Sequence, residues 1–275
     1  MALSILASFA LSIGIYEGFV RIGPKWAPWG IPDLREEPGW FARLQLNTVS
    51  VDGNVCVQML ARGGVHHTRL ADRYFAPGCT QVSVVSAQPL VPFRPALTAT
   101  CSLTAGLVWY ERAVDEIAAR VLKARIVRID HVGTYVCRNM NREPDGMRSE
   151  HATANAIDVT AFHLSNGKTV SIARDWKKQT PESQFLHEAH DAACDLFNVV
   201  LGPDYNKAHA THFHLDLGSY RTCRRDCEVA KECLTQRNHE TKAHAHTSHR
   251  RCNDDVKCAS RGGRHSAPLF HGFFV

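Results

Sequence analysis

The most informative part of the chain is the stretch His209-Ala210-Thr211-His212-Phe213-His214-Leu215-Asp216, in which polar and apolar residues alternate. Such alternation is typical of a β-strand, because successive side chains point to opposite faces of a sheet. One face would carry His212, His214 and Asp216, and the other Phe213, Leu215 and Leu217. The stretch therefore predicts a core strand with one chemically active face.

A second stretch, Ser149-Glu150-His151-Ala152-Thr153-Ala154-Asn155-Ala156-Ile157-Asp158, adds a histidine and a carboxylate. Imidazole and carboxylate groups are the ligand types that hold zinc through three protein groups and leave one position for water. An open coordination position is typical of catalytic zinc sites, whereas structural zinc sites are closed. A lone His-x-His, or a lone pair of His and Asp, occurs by chance in many chains, so only the combination is specific.

Periodicity predicts the elements around these stretches. The run 156–173 alternates on both sides of Asn166-Gly167, which predicts a hairpin with Asp158 near its start. Further strands are expected at 125–130 and at 81–85. One helix should be capped by Ser102 or Thr104 and run to about Leu122. A second should open at Thr180-Pro181-Glu182 and end before Gly202, and its apolar face should comprise Phe185, Leu186, Ala189, Ala193, Leu196, Phe197 and Val200.

The rest of the chain divides by composition. Residues 1–22 form the first part, and residues 2–20 within it are apolar apart from a few polar residues and Glu17, which favours an export signal or a membrane anchor over the alternative of a buried helix. Residues 23–100 begin with a Pro/Gly/Trp-rich part and are expected to wrap the domain formed by residues 101–223. Residues 224–275 are rich in Arg, Lys, His and Cys and predict a disordered tail, whose histidines could also bind metal adventitiously.

Cysteine usage and charge limit the possible functions. The chain has 10 cysteines, and the six up to Cys223 contain no CxxC pair, which favours a disulfide framework in an oxidising compartment. Six cysteines allow about fifteen pairings, and the sequence does not choose among them. The net charge of +5 comes partly from the basic tail, so we expect no nucleic-acid partner.

Several motifs carry a resemblance to known families. The pattern Ser149-x-His151, Ala156-x-Asp158 and His209-x-x-His212-x-His214 resembles the zinc DD-peptidases of the LAS group, which includes lysostaphin-type enzymes, D-Ala-D-Ala metallopeptidases and Hedgehog domains. Residues 24–223 more closely resemble the bacterial extensin-like C-terminal domain family. This resemblance rests on the Trp/Pro-rich opening, the scattered cysteines, Arg128-Ile129-Asp130-His131, Tyr135-x-Cys137-Arg138-Asn139, Arg174-Asp175-Trp176 and Leu201-Gly202-Pro203-Asp204-Tyr205-Asn206.

The resemblance implies a role for each residue of the motif. It implies that His151, Asp158 and His214 ligate Zn²⁺, and that His209 is the acid/base or a hydrogen-bond donor to the transition state. His212 would support a ligand or the nucleophile.

Arg138 would bind a substrate carboxylate or the developing oxyanion, with a surface salt bridge as the alternative. Ser149 would contact substrate, or its hydroxyl would bond its own backbone. Ala154 stands where the LAS pattern has glycine, so a turn with positive φ would be strained there. No Glu precedes His214 by three residues, so the base role falls to the histidines.

The expected fold is α+β, with a small antiparallel sheet that carries the zinc site and packs against helices, like Hedgehog and DD-peptidase domains. The expected function is zinc-dependent hydrolysis of amide bonds in peptidoglycan stem peptides or crosslinks, in the periplasm or cell envelope, with anchoring to the inner membrane through the N-terminus as one arrangement. The alternative is a catalytically inactive zinc-containing domain that binds the cell wall.

Overall fold

The computed structural model describes residues 23–223, which form a mixed α+β fold as predicted. The helices are α1 (Ala42–Val49), α2 (Gly53–Arg62), α3 (Cys101–Val121), α4 (Ile172–Asp175) and α5 (Pro181–Leu196). The strands are β1 (His66–Arg69), β2 (Arg73–Ala76), β3 (Cys79–Gln81), β4 (Val84–Gln88), β5 (Phe93–Arg94), β6 (Leu97–Thr100), β7 (Ile126–His131), β8 (Ala156–Leu164), β9 (Thr169–Ser171), β10 (Val199–Leu201), β11 (Phe213–Asp216) and β12 (Thr222–Cys223). Within this range, no helix is long and apolar enough to cross a membrane.

The central sheet has seven strands in the order β12-β10-β11-β8-β7-β5, with β9 added to β8. Its inner strands pair antiparallel, as predicted, while the edge pairs β5–β7 and β10–β12 are parallel. The register between β8 and β11 places Asp158 directly opposite His214. A three-stranded antiparallel sheet, β1-β4-β6, and the β2–β3 hairpin complete the strands of the described residues.

The hydrophobic core lies between the helices and the apolar face of the central sheet. Ile157, Val159 and Phe162 of β8 are fully buried, and the Phe162 ring meets Phe185 of α5 edge to face at 5.1 Å. Helix α3 begins two to four residues earlier than predicted, because Thr100, not Ser102 or Thr104, is its N-cap and accepts a hydrogen bond from Leu103 N. The buried face of this helix therefore includes Ser102 and Thr104.

Two local predictions are confirmed and one is corrected. The hairpin joins β8 to β9 through Asn166-Gly167, where Gly167 has φ +81°. Helix α5 has Thr180 as N-cap and Pro181 in its first turn, and all seven predicted apolar residues are buried. Val200, however, lies in β10, because the helix ends at Leu196.

Residues 23–100 contain α1, α2 and β1–β6. These elements are integral to the fold, since β5 pairs with β7 of the central sheet and α2 is bridged to α3. The strand predicted at residues 81–85 is wrong: Ser83 adopts φ +54° and separates β3 from β4.

The predicted disulfide framework is confirmed for the cysteines of the described residues. The bridges are Cys56–Cys101, Cys79–Cys137 and Cys194–Cys223, and none of these six cysteines is free. They close stretches of 45, 58 and 29 residues, for which loop-closure entropy gives roughly 4 kcal/mol each. The predictions for residues 1–22 and 224–275 lie outside the described residues.

Candidate metal centre

Three predicted ligands come together between β8, β11 and a short 3-10 turn at Glu150–Thr153. Asp158 Oδ1 lies 3.1 Å from His151 Nε2 and 3.0 Å from His214 Nδ1. The two imidazole nitrogens are 3.2 Å apart. His151 and His214 are buried, and the Asp158 side chain keeps 16% of its surface exposed, so the cluster opens to solvent on the Asp158 side.

The backbone around His151 fixes the orientation of its ring. The Ser149 hydroxyl caps the 3-10 turn by accepting a hydrogen bond from His151 N at 3.3 Å. The ring Nδ1 donates to the carbonyl oxygen of Thr134 at 3.2 Å, which directs Nε2 toward the cluster. The turn closes at Ala154 with φ +56°, as anticipated from the missing glycine, at a cost of about 1–2 kcal/mol.

Asp216 fixes the orientation of the His214 ring. The ring Nε2 donates to Asp216 Oδ2 at 2.8 Å, so Nδ1 is the nitrogen that faces the cluster. The other carboxylate oxygen of Asp216 accepts a hydrogen bond from Gly218 N at 2.8 Å, which holds the carboxylate in place. The alternating pattern placed Asp216 on the face of His214, but its role as the partner of that ring was missed.

The cluster requires a positive charge at its centre. With both imidazole protons directed outward, three lone pairs converge from His151, Asp158 and His214. Burial by itself would raise the pKa of Asp158, but its close contacts with the His151 and His214 rings hold it far below its usual range. Burial would lower the pKa of His214, yet the bonds to Asp158 and Asp216 raise it to about 9. In the metal-free protein one proton therefore supplies that charge.

The donor set fits zinc. Two imidazole nitrogens and one carboxylate oxygen form a ligand set found in catalytic zinc sites. Tetrahedral zinc with ligand bonds of about 2.05 Å separates its ligand atoms by about 3.3 Å, close to the 3.0–3.2 Å of this cluster. A Zn²⁺ ion would take the place of the shared proton.

His209 and His212 lie beside the cluster. The His209 ring centroid is 5.9 Å from that of His214 and 5.3 Å from that of His212. Burial, followed by the charges of His214 and His212, lowers the pKa of His209 to about 4. Its Nδ1 donates a hydrogen bond to Asn206 Oδ1 at 2.8 Å, and the same oxygen accepts a hydrogen bond from the backbone N–H of His209 at 3.2 Å. His209 is therefore neutral at pH 7, with the lone pair on Nε2.

His212 precedes β11 and does not belong to the strand. Its Nε2 lies 3.6 Å from Asp158 Oδ1, and its Nδ1 is 3.3 Å from the Thr211 hydroxyl. Burial lowers the pKa of His212 as well. A neutral His212 at this distance can support the ligand carboxylate.

Arg138 and Ser149 occupy different positions relative to the cluster. Arg138 is half-buried, and its charge contributes to lowering the pKa of both His209 and His212, which places the guanidinium within electrostatic reach of the site. Among residues 23–223, no carboxylate forms an ion pair with it. Ser149 is buried and its hydroxyl is engaged with His151 N, which corresponds to the alternative of a hydroxyl that bonds its own backbone.

A second group of metal-binding residue types does not form a candidate centre. His190, Cys194 and Cys223 lie close together, but the two sulfur atoms form a disulfide bridge with each other. Their thiolates are therefore not available as ligands in the oxidised protein.

Comparison with curated proteins and with solved structures gave no significant match in either case. The family model described as "Extensin-like protein C-terminus" matches residues 54–224, which is more than half of the chain's 275 residues. The match covers the three clustered ligands, Arg138, Ser149, His209 and His212. The chain therefore belongs to the extensin-like protein C-terminus family.

Proposed function

We propose that this protein is a zinc-dependent hydrolase that cleaves amide bonds in peptidoglycan stem peptides or crosslinks. One observation carries the proposal: His151 Nε2, Asp158 Oδ1 and His214 Nδ1 converge at 3.0–3.2 Å, while the opposite nitrogens of the two rings bond to the Thr134 carbonyl and to Asp216. Such convergence favours a bound cation. The motif resemblance to the LAS peptidases supports zinc and the substrate class.

When bound, Zn²⁺ supplies a Lewis acid and an activated water molecule at neutral pH. His209 is suited to the general base, because its Nδ1 proton is fixed on Asn206 and its Nε2 is free to accept a proton. In the neutral form that its low pKa favours, His209 has no second N–H, so it becomes a donor to the leaving amine only after it has taken up a proton.

Arg138 is suited to bind an anion at the rim of the site. It lies within electrostatic reach of His209 and His212 and has no carboxylate partner among the described residues. A guanidinium offers a planar fork of donors to a carboxylate or an oxyanion. We assign it to the carboxylate of a stem peptide or to the oxygen that becomes negative during hydrolysis.

An extracytoplasmic location fits the three disulfide bridges, because such bridges persist in oxidising compartments. This supports our proposal that the protein acts in the periplasm or cell envelope, where peptidoglycan peptides are accessible.

The test is digestion of isolated sacculi, with soluble products identified by mass spectrometry. The zinc-loaded protein should release peptides or amino acids, a chelator should stop release, and added zinc should restore it. The His209→Ala variant should lose most activity, whereas His163→Ala, which changes a β8 histidine bonded to Asp130, should keep it. A folded, zinc-loaded protein that releases nothing would overturn the catalytic proposal and leave the inactive cell-wall binding domain.

A further inference from the structure

The first described residues form an exposed aromatic surface that the proposed function does not use. Trp26, Trp29 and Trp40 are 52%, 66% and 75% exposed, and Phe41 and Leu44 beside them are 36% and 50% exposed. We call these five residues the tryptophan surface. The other two of the chain's five tryptophans, Trp109 and Trp176, are buried. Exposed tryptophans in such number are unusual and mark an interaction surface.

Contacts within the segment bring Trp26 and Trp40 together and tie the segment to helix α1. The rings of Trp26 and Trp40 meet edge to face, with centroids 6.2 Å apart. The Gln45 side chain of α1 donates to the Ala27 carbonyl at 2.8 Å, and Ala27 also starts the turn that carries Trp29. Helix α1 buries Ala42, Gln45, Leu46 and Val49, so Phe41 and Leu44 lie on its outer side.

We propose that the tryptophan surface docks into the interfacial region of a lipid bilayer. Tryptophan favours this region because its large apolar ring carries one polar N–H group. The sequence that leads into the surface is apolar as well: residues 2–20 contain a single charged residue, Glu17. Val20 is six residues from Trp26, a reach of about 20 Å at most, so a membrane anchor within residues 2–20, one of the arrangements that the sequence favours, would hold this surface near the bilayer.

Charge and ring geometry favour lipid over a glycan strand. Residues 23–44 contain three basic residues (Lys25, Arg35, Arg43) and three acidic residues (Asp33, Glu36, Glu37), so insertion of apolar rings, not attraction to anionic lipid, would drive docking. The Trp26 and Trp40 ring planes cross at 75°, so they do not form the flat platform on which successive sugars would stack. The proposal does not depend on zinc.

The experiment uses the full chain reconstituted into phosphatidylethanolamine/phosphatidylglycerol vesicles whose acyl chains are brominated, with unbrominated vesicles as reference. Bromine should quench the three surface tryptophans and spare Trp109 and Trp176, and the quenched fraction should change little between low and high salt. In Trp29→Ala the quenched fraction should fall, because one exposed emitter is removed. In Tyr74→Ala, which changes an aromatic residue that is 75% exposed elsewhere, it should be unchanged.

Absence of quenching in vesicles that contain the protein would overturn the proposal. A change of tryptophan emission with purified glycan strands, without quenching by brominated lipid, would assign the surface to sugar and would overturn it as well. Circular dichroism of Trp29→Ala verifies that the variant is folded.

Discussion

Replacement of Asp216 by asparagine should weaken zinc binding although Asp216 is not itself a ligand. Both of its carboxylate oxygens accept hydrogen bonds at 2.8 Å, one from His214 Nε2 and one from Gly218 N. Asparagine has one oxygen and one NH₂ group, so in Asp216→Asn either one of these two N–H donors faces another donor, or the His214 ring takes the tautomer whose proton points into the cluster. The His214 ring then loses the partner that directs its Nδ1 toward the metal.

The expected loss is about 10–100-fold in zinc affinity, the usual effect of removing the partner of a metal-binding histidine, which corresponds to about 1.4–2.7 kcal/mol. A second effect opposes it at neutral pH. Asp216 also raises the pKa of His214 toward about 9, so in Asp216→Asn the proton competes less with zinc at pH 7. The full loss should therefore appear near pH 9 and should be smaller at pH 7.

The assay is competition with a chromophoric zinc chelator at both pH values. Asp130→Asn is the matched control, because Asp130 accepts from Arg128 and His163 outside the metal cluster. Equal zinc affinity of Asp216→Asn and wild type at pH 9, with both proteins folded, would refute the role given to Asp216.

Three further predictions concern the proton at the metal cluster, the role of His209 and the boundary of the domain. Zinc affinity should rise about tenfold per pH unit up to about pH 9, because the His214 proton must leave before zinc binds. Calorimetry in two buffers should show about one proton released per zinc bound. Binding without proton release would contradict the shared-proton arrangement. His209→Ala should keep zinc and lose about 10²–10⁴-fold in turnover on muropeptides. The variant should also lose the acidic limb of the pH profile, since His209 must be unprotonated to act and its pKa is about 4. Loss of zinc in this variant would show that His209 is a ligand. Truncation after Arg224 should leave the melting temperature nearly unchanged, whereas reduction of the bridges should lower it strongly, and a truncated chain that does not fold would show that the tail belongs to the domain.

Local patterns predicted the parts of the fold that depend on neighbouring residues. The alternation around Asn166-Gly167 gave the β8–β9 hairpin, and Thr180-Pro181 gave the start of α5, because turn and cap chemistry are local. Residues 48–100 could not be predicted in the same way, since their strands are short and one of them, β5, pairs with the distant strand β7.

In the candidate site, too, some residues could be predicted from the sequence and others could not. His151, Asp158 and His214 could be named from the sequence because their residue types and spacing match a motif. The Thr134 carbonyl that orients His151 leaves no signal, because every residue has such an oxygen. Asn206, which orients His209, lies in a loop whose conformation the sequence does not specify. The pairing of six cysteines likewise depends on the three-dimensional fold.

The zinc content of the purified protein after dialysis against zinc-free buffer tests the metal centre most directly. Wild type should retain about one tightly bound zinc per chain, and His163→Ala should retain the same amount. His214→Ala should retain almost none, because two remaining ligands hold zinc poorly. A folded wild-type protein without zinc, or a His214→Ala variant that still holds one tight zinc per chain, would contradict the assignment of His151, Asp158 and His214 as the metal centre.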